Sequence, residues 1–186
     1  MRVKFEKILQ DYMALRGESP DLLPLLDEGE EGAVLTLARQ LRAWLPKAAI
    51  EATLATPCWL LDEMKIHHGG TEDSGDGSAV ITLPDDFLKF YMLDMDDWKE
   101  PVFGLEPEAS LRRQLGAEAP SWMICPHKPM VLLERSGDSC YLRVFGTGGI
   151  THELRYIPIP EFDGETLVIS EGAYGTMLSF LLKEAE

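Results

Sequence analysis

The amino-acid sequence predicts a single α+β domain spanning residues 1–186, with N-terminal helices, a central and mostly antiparallel β-sheet, and a C-terminal helix packed on the helical bundle. Three observations support this prediction. Apolar residues recur at helical spacing over residues 1–56, at strand spacing over 57–169, and at helical spacing again over 170–186. Helices followed by a block of strands are typical of α+β folds rather than of alternating βαβ folds.

The N-terminal part predicts two helical segments. In the first, Phe5, Ile8 and Tyr12 follow a helical period, and Gly17 marks the end of the helix. The second segment keeps one helical phase from Val34 to Ala52, straight through Pro46. Because proline removes a backbone hydrogen bond and bends the axis, this pattern indicates either one kinked helix or two helices that meet at Pro46.

The central part predicts short strands separated by turns. Glycine-rich breaks, such as the one at 146–149, are short enough for hairpins, so we expect antiparallel pairing. A short helix is predicted at 107–115, a loop at 68–78, and a C-terminal helix that Ser170 caps. The predicted strands are 58–67, 79–83, 87–95, 130–134, 140–145, 154–157 and 166–169.

The composition fits a folded protein with an acidic surface. Of its 186 residues, 45% are hydrophobic and 26% are charged, which is ordinary for globular proteins. The 32 acidic residues outnumber the 17 basic ones, and the formal net charge is −15. Since proteins bind phosphate backbones through Lys and Arg, we expect no specific nucleic-acid binding. Such a surface still allows DNA to pass without adhering.

The cysteines and the N-terminus bear on the compartment. Cys58, Cys125 and Cys140 are odd in number and irregularly spaced, which is not typical of a disulfide framework. The first 17 residues alternate charged and apolar side chains, so we expect neither a signal peptide nor a membrane span. These patterns predict a protein made and folded in a reducing cytoplasm.

The soft metal ligands do not form a recognisable site in the sequence. His67 and His68 are adjacent with Cys58 upstream of them, and Cys125 and His127 form a second group further along the chain. Adjacent residues of a strand point to opposite faces of the sheet, so one metal ion would rarely contact both histidines. We therefore expect no metal and no cofactor.

The acidic and glycine-rich motifs also favour structural roles. Asp94, Asp96 and Asp97 follow or end a predicted strand, and a solvated turn explains them better than acid–base chemistry. The glycines at 146–149 lack the Lys-Ser/Thr pair of a phosphate loop. No serine or cysteine stands in an activated context, so we expect no catalytic residue and predict that the protein is not an enzyme.

Residues 77–102, GSAVITLPDDFLKFYMLDMDDWKEPV, resemble a pattern in head-to-tail connector (adaptor) proteins of tailed bacteriophages and prophages. The strand 154–160, LRYIPIP, and the helix start at 171–174 are similar to that family as well. We predict structural or interface roles for six residues of these motifs, namely Pro84, Phe87, Phe90, Trp98, Tyr156 and Tyr174.

The resemblance implies a virion structural protein whose copies form a ring below the portal. Its partners would be the portal and tail proteins and further copies of itself. It would be found in the bacterial cytoplasm during assembly and then in the virion. Two alternatives from other classes remain: a small-ligand-binding or hydrolytic enzyme with a cleft between sheet and helices, and a bacterial interaction module that binds an extended peptide at a sheet edge.

Overall fold

The computed structural model describes residues 1–17, 28–73, 78–106, 129–136, 139–147 and 149–184. These residues contain helices at both ends of the chain and antiparallel sheets between them, which confirms the α+β prediction. They group into two compact units. Unit 1 comprises Met1–Glu63 and Ile159–Glu186, and unit 2 comprises Met64–Pro158.

Unit 1 contains the helices and a small sheet. The elements of unit 1 are β1 (Arg2–Lys4), α1 (Phe5–Leu15), α2 (Glu28–Ala55), a 3₁₀ turn (Cys58–Leu60), β9 (Glu161–Phe162), β10 (Thr166–Val168) and α3 (Glu171–Glu184). The sheet has the strand order β1-β10-β9, with both pairs antiparallel.

The predicted helical stripes are buried in unit 1. In α1, Phe5, Ile8 and Tyr12 face the core, and Gly17 adopts a left-handed φ of 78° just after the helix ends. Helix α2 continues through Pro46, so this segment is one helix and not two helices that meet at Pro46. Helix α3 packs against both α1 and α2, as predicted for the C-terminal helix.

Unit 2 contains seven strands in its described residues, namely β2 (Lys65–Gly70), β3 (Glu72–Asp73), β4 (Ser78–Thr82), β5 (Phe87–Met95), β6 (Met130–Ser136), β7 (Ser139–Phe145) and β8 (Thr151–Pro158). They form two antiparallel sheets, with strand orders β2-β8-β5 and β3-β4-β7-β6. Buried residues from strands of both sheets form one hydrophobic cluster.

The structure corrects the sequence prediction around residues 58–78. Cys58–Leu60 is a 3₁₀ turn and the strand begins only at Lys65, so the predicted strand 58–67 is wrong over residues 58–64. The predicted loop 68–78 contains the end of β2 and the short strand β3. The sequence did not predict β1 and β9, which are too short to show a period. The helix predicted at 107–115 lies outside the described residues.

Candidate functional site

Five of the predicted structural or interface residues lie together in unit 2. Phe90, Trp98 and Tyr156 are buried in the hydrophobic cluster of that unit. Phe87 is partly buried against the cluster and stacks on Tyr156, with ring centroids 5.7 Å apart. The Pro84 carbonyl accepts a 3.0 Å hydrogen bond from the Phe87 amide, which closes the turn before β5. The four aromatic residues therefore belong to the core of unit 2, and Pro84 is a turn residue.

The polar ends of these aromatic side chains are also bonded within unit 2. The Tyr156 hydroxyl donates to Asp86 Oδ1 at 2.8 Å, and Lys65 Nζ lies 2.6 Å from Asp86 Oδ2. Burial, and then the contact with Asp86, raise the pKa of Tyr156 to about 12. The Trp98 indole donates to the Gly146 carbonyl at 3.2 Å. Each contact joins segments that are far apart in the sequence, which stabilises the fold of unit 2.

Tyr174 belongs to unit 1, whereas the other five belong to unit 2. Its hydroxyl donates to Asp11 Oδ2 at 2.7 Å, which ties α3 to α1. Burial and the neighbouring Asp11 carboxylate raise the pKa of Tyr174 above its ordinary value, because both disfavour the phenolate. This is a half-buried helix contact.

The acidic motif after β5 forms a turn, as the sequence predicts. Asp96 and Asp97 both lie in that turn. Thr147 Oγ1 donates a hydrogen bond to Asp97 Oδ1 at 2.7 Å and accepts one from the Gly149 amide at 2.9 Å. The carboxylate therefore fixes a loop.

A segment of unit 1 exposes large apolar side chains. Leu54 in the last turn of α2 is 48% exposed, Trp59 is 81% exposed and Leu60 is 52% exposed. We call these three residues the apolar segment. Tryptophan buries far more area on binding than most residues, and it is enriched among the residues that dominate binding energy.

The backbone that follows the apolar segment is held firmly in unit 1. Leu61 is buried, and the Asp62 amide donates to Ser170 Oγ at 2.8 Å. The Asp62 carboxylate in return accepts hydrogen bonds from the Ser170 hydroxyl and from the Glu171 amide, the latter at 3.1 Å. The hydrogen bond from Ser170 lowers the pKa of Asp62, because it favours the carboxylate.

Two further contacts position the same backbone. The Met1 ammonium lies 2.8 Å from Glu63 Oε1 and also donates to the Ile169 carbonyl at 2.7 Å. At Gly172 in the first turn of α3, a β carbon would lie only 2.2 Å from the Leu60 carbonyl oxygen. Only glycine permits so close an approach. Trp59 and Leu60 are therefore presented on a backbone whose conformation is already set.

A pair of histidines marks a second candidate site, in unit 2. Gly69 of β2 pairs with His152 of β8, and His67 pairs with Leu154, so His67 and His152 lie on the same face of the sheet. Their ring centroids are 5.7 Å apart. His152 is only 6% exposed, and within the described part of the chain neither of its ring nitrogens has a hydrogen-bond partner.

His152 is neutral near neutral pH. Burial, followed by the nearby His67 and His68, lowers its pKa to about 4. His68 is exposed and belongs to the opposite face of β2, as predicted for adjacent residues of a strand. Across the ranges that the structure describes, no three His, Cys, Asp or Glu side chains converge as a metal site would require.

The sequence signalled only part of these two sites. Trp59 and His67 were visible as residue types, but neither the exposure of Trp59 nor the partner of His67 shows in a local pattern. Cys125 and His127, considered as zinc ligands, lie outside the described residues.

Comparisons with known proteins add no family assignment. A scan against models of protein families finds no match, and a search of curated proteins finds no significant match. Within the described ranges, no helix combines the length and apolar composition needed to cross a bilayer.

Proposed function

We propose that this protein is a structural subunit of a phage or prophage particle, a head-to-tail connector whose copies form a ring below the portal. It acts by contact with other proteins rather than by catalysis. The observation that carries the proposal is the apolar segment, in which Trp59 is 81% exposed on a firmly held backbone. The resemblance of residues 77–102 to connector proteins supplies the class of assembly.

The energetics of the apolar segment support an interface. A tryptophan side chain buries 150–250 Å² on binding, which is worth about 4–6 kcal/mol at 25 cal/mol per Å² before the costs of association. Those costs fall when the contact residues are already ordered. The bonds of Asp62 to Ser170 and Glu171 provide that order next to Trp59.

A ring of identical subunits also requires a heterologous contact, in which one patch of each copy binds a different patch of the next. The apolar segment supplies one such patch. The net charge of −15 suits a conduit along which DNA moves, because like charges prevent adhesion.

The test is assembly of the purified chain with the portal protein encoded in the same genome, followed by light scattering and electron microscopy. We expect rings of the chain on the portal. The double variant Trp59→Ser, Leu60→Ser should abolish them. The matched control is Ile150→Ser in unit 2, which removes a side chain that is 71% exposed and should leave assembly unchanged.

Two results would contradict the proposal. If the chain neither binds the portal nor forms rings, the connector function is wrong. If rings form equally well with the double variant, the apolar segment is not the interface. Stable capture of a host complex in place of virion proteins would favour the interaction-module alternative.

A further inference from the structure

Strand β2 forms one edge of the three-stranded sheet in unit 2. It pairs with β8 along its whole length, and among the described strands β8 is its only neighbour. The register continues to Thr71, whose amide donates to the Ile150 carbonyl at 3.1 Å. Because hydrogen bonding alternates along an antiparallel pair, the N–H and C=O groups of Ile66, His68 and Gly70 point away from β8.

This edge lacks the features that usually prevent edge strands from pairing with other chains. Natural sheets protect their edges with bulges, charged residues, very short strands or a covering segment. In unit 2, β3 has only two residues, β5 has two register shifts, and the Val131 carbonyl of β6 accepts a bond from the Glu106 amide. Strand β2 has six residues and no register shift, and Ile66, His68 and Gly70 are exposed.

The residues of β2 are complementary to those of a second, antiparallel β2. A two-fold axis at His68 sets each Ile66 opposite Gly70 of the second copy, so that the outward backbone groups of both strands meet. Within the described residues, a β carbon on Gly70 would meet only the Ile150 carbonyl oxygen, at 3.6 Å. The space above Gly70 is therefore open to the Ile66 side chain, which is 54% exposed.

The distribution of charge also favours a second copy at this edge. With a net charge of −15, two chains repel each other except where carboxylates are absent. The other edge strands of unit 2 are acidic, with Asp94 in β5, Glu134 in β6 and two acidic residues in β3, whereas β2 has none. In the two-fold arrangement Lys65, which lies 2.6 Å from Asp86 of its own chain, is opposite Thr71. No like charges are opposed at pH 8, where histidine is neutral.

We propose that β2 binds β2 of a second copy of this chain, so that two three-stranded sheets join into one six-stranded antiparallel sheet. Such an isologous contact closes at two copies and differs from the heterologous contact of a ring. The proposal does not depend on the connector function. Because one strand pair is smaller than a standard interface, we expect a reversible dimer with a Kd of about 10–100 μM.

The first test is sedimentation equilibrium of the full-length chain at pH 8, from about 5 to about 500 μM. We expect a monomer that becomes a dimer as the concentration rises. His68→Glu changes an exposed side chain, sets two carboxylates opposite each other and should weaken the dimer at least about fivefold. The matched control is Phe103→Glu, a 63% exposed position beside the opposite edge strand β5, which adds the same charge and should leave the dimer unchanged.

A disulfide tests the register. His68→Cys places two thiols at the two-fold axis, where the α carbons of opposite residues lie about 5.5 Å apart, so a mild oxidant should link them. The matched control is Ile66→Cys, whose two α carbons would be at least about 13 Å apart and should not link. Mass spectrometry of the linked peptides separates these disulfides from any that involve the three native cysteines.

Several results would overturn the proposal. A chain that stays monomeric at about 500 μM does not pair through β2, and the edge would then be left to an extended peptide of another protein. Equal dimerisation of His68→Glu and Phe103→Glu, or a link through Ile66→Cys and not through His68→Cys, would contradict the arrangement. Loss of the dimer in the double variant Trp59→Ser, Leu60→Ser would assign the contact to the apolar segment instead.

Discussion

The close approach of α3 to the 3₁₀ turn yields a sharp test within one helix. Gly172 and Gly175 are both exposed glycines of α3. A β carbon on Gly172 would lie 2.2 Å from the Leu60 carbonyl oxygen and 3.0 Å from Leu60 Cβ, whereas one on Gly175 would meet nothing within 4 Å. Replacement of each glycine by alanine therefore compares the same chemical change with and without a steric clash.

The magnitudes follow from these surroundings. Alanine is favoured over glycine inside a helix by about 0.5–1 kcal/mol, so Gly175→Ala should stabilise the protein by about that amount. Gly172→Ala must push the first turn of α3 off the Leu60 backbone, and such overpacking costs about 1–3 kcal/mol. The two variants should therefore differ by about 1.5–4 kcal/mol in free energy of unfolding.

Urea unfolding at equilibrium, followed by far-ultraviolet circular dichroism, measures both free energies. Tryptophan fluorescence provides a second signal; Trp59 is one of the four tryptophans that contribute to it, and displacement of α3 alters the turn that carries this residue. A Gly172→Ala protein as stable as Gly175→Ala would refute the reasoning, since it would mean that Leu60 and α3 are not in close contact.

Two further predictions concern polar contacts. Asp62→Ala removes the acceptor for Ser170 and Glu171 at the start of α3 and should cost about 0.5–2 kcal/mol. The pKa of Asp62 in the folded protein lies below its ordinary value of 3.8. Its contribution to the free energy of unfolding is therefore complete above pH 3.8 and is lost as the pH falls through the folded pKa. The stabilities of wild type and variant should accordingly converge in acid unfolding curves. Tyr156→Phe removes the hydrogen bond from the Tyr156 hydroxyl to Asp86 and should lower the free energy of unfolding by about 0.5–1.5 kcal/mol. Because the pKa of Tyr156 is raised from 10.0 to about 12, this stabilisation is complete below pH 10.0 and is lost as the pH rises towards 12. An ultraviolet titration of the variant should show one fewer tyrosine that ionises near pH 12.

Local periodicity predicted the helices and most strands because these elements bury a stripe or a face of their own residues. The stripe of Ile8 and Tyr12 in α1 needs no distant partner to be recognised. Structural or interface roles for Phe90 and Trp98 were predicted from the motif that resembles connector proteins, and in the structure both side chains are buried.

The two candidate sites depend on contacts that sequence patterns do not contain. The apolar run at 58–61 resembles a strand, but its conformation is decided by Ser170 and Gly172, more than 100 residues away along the chain. The partnership of His67 with His152 depends in the same way on the register of β2 with β8. A pattern shows which residues alternate, and it does not show which distant strand they will face.

The division of the chain between the two units has a consequence for biosynthesis. Unit 1 is discontinuous, since β1 pairs with β10 only after residues 166–168 have been made. The continuous stretch Met64–Pro158 leaves the ribosome before residues 159–186, so it can complete its two sheets while the N-terminal helices still lack α3. Its two ends lie side by side, because Lys65 pairs with Tyr156. Unit 2 thus has the features of an inserted domain: it is one continuous segment that interrupts unit 1, and its two ends are adjacent.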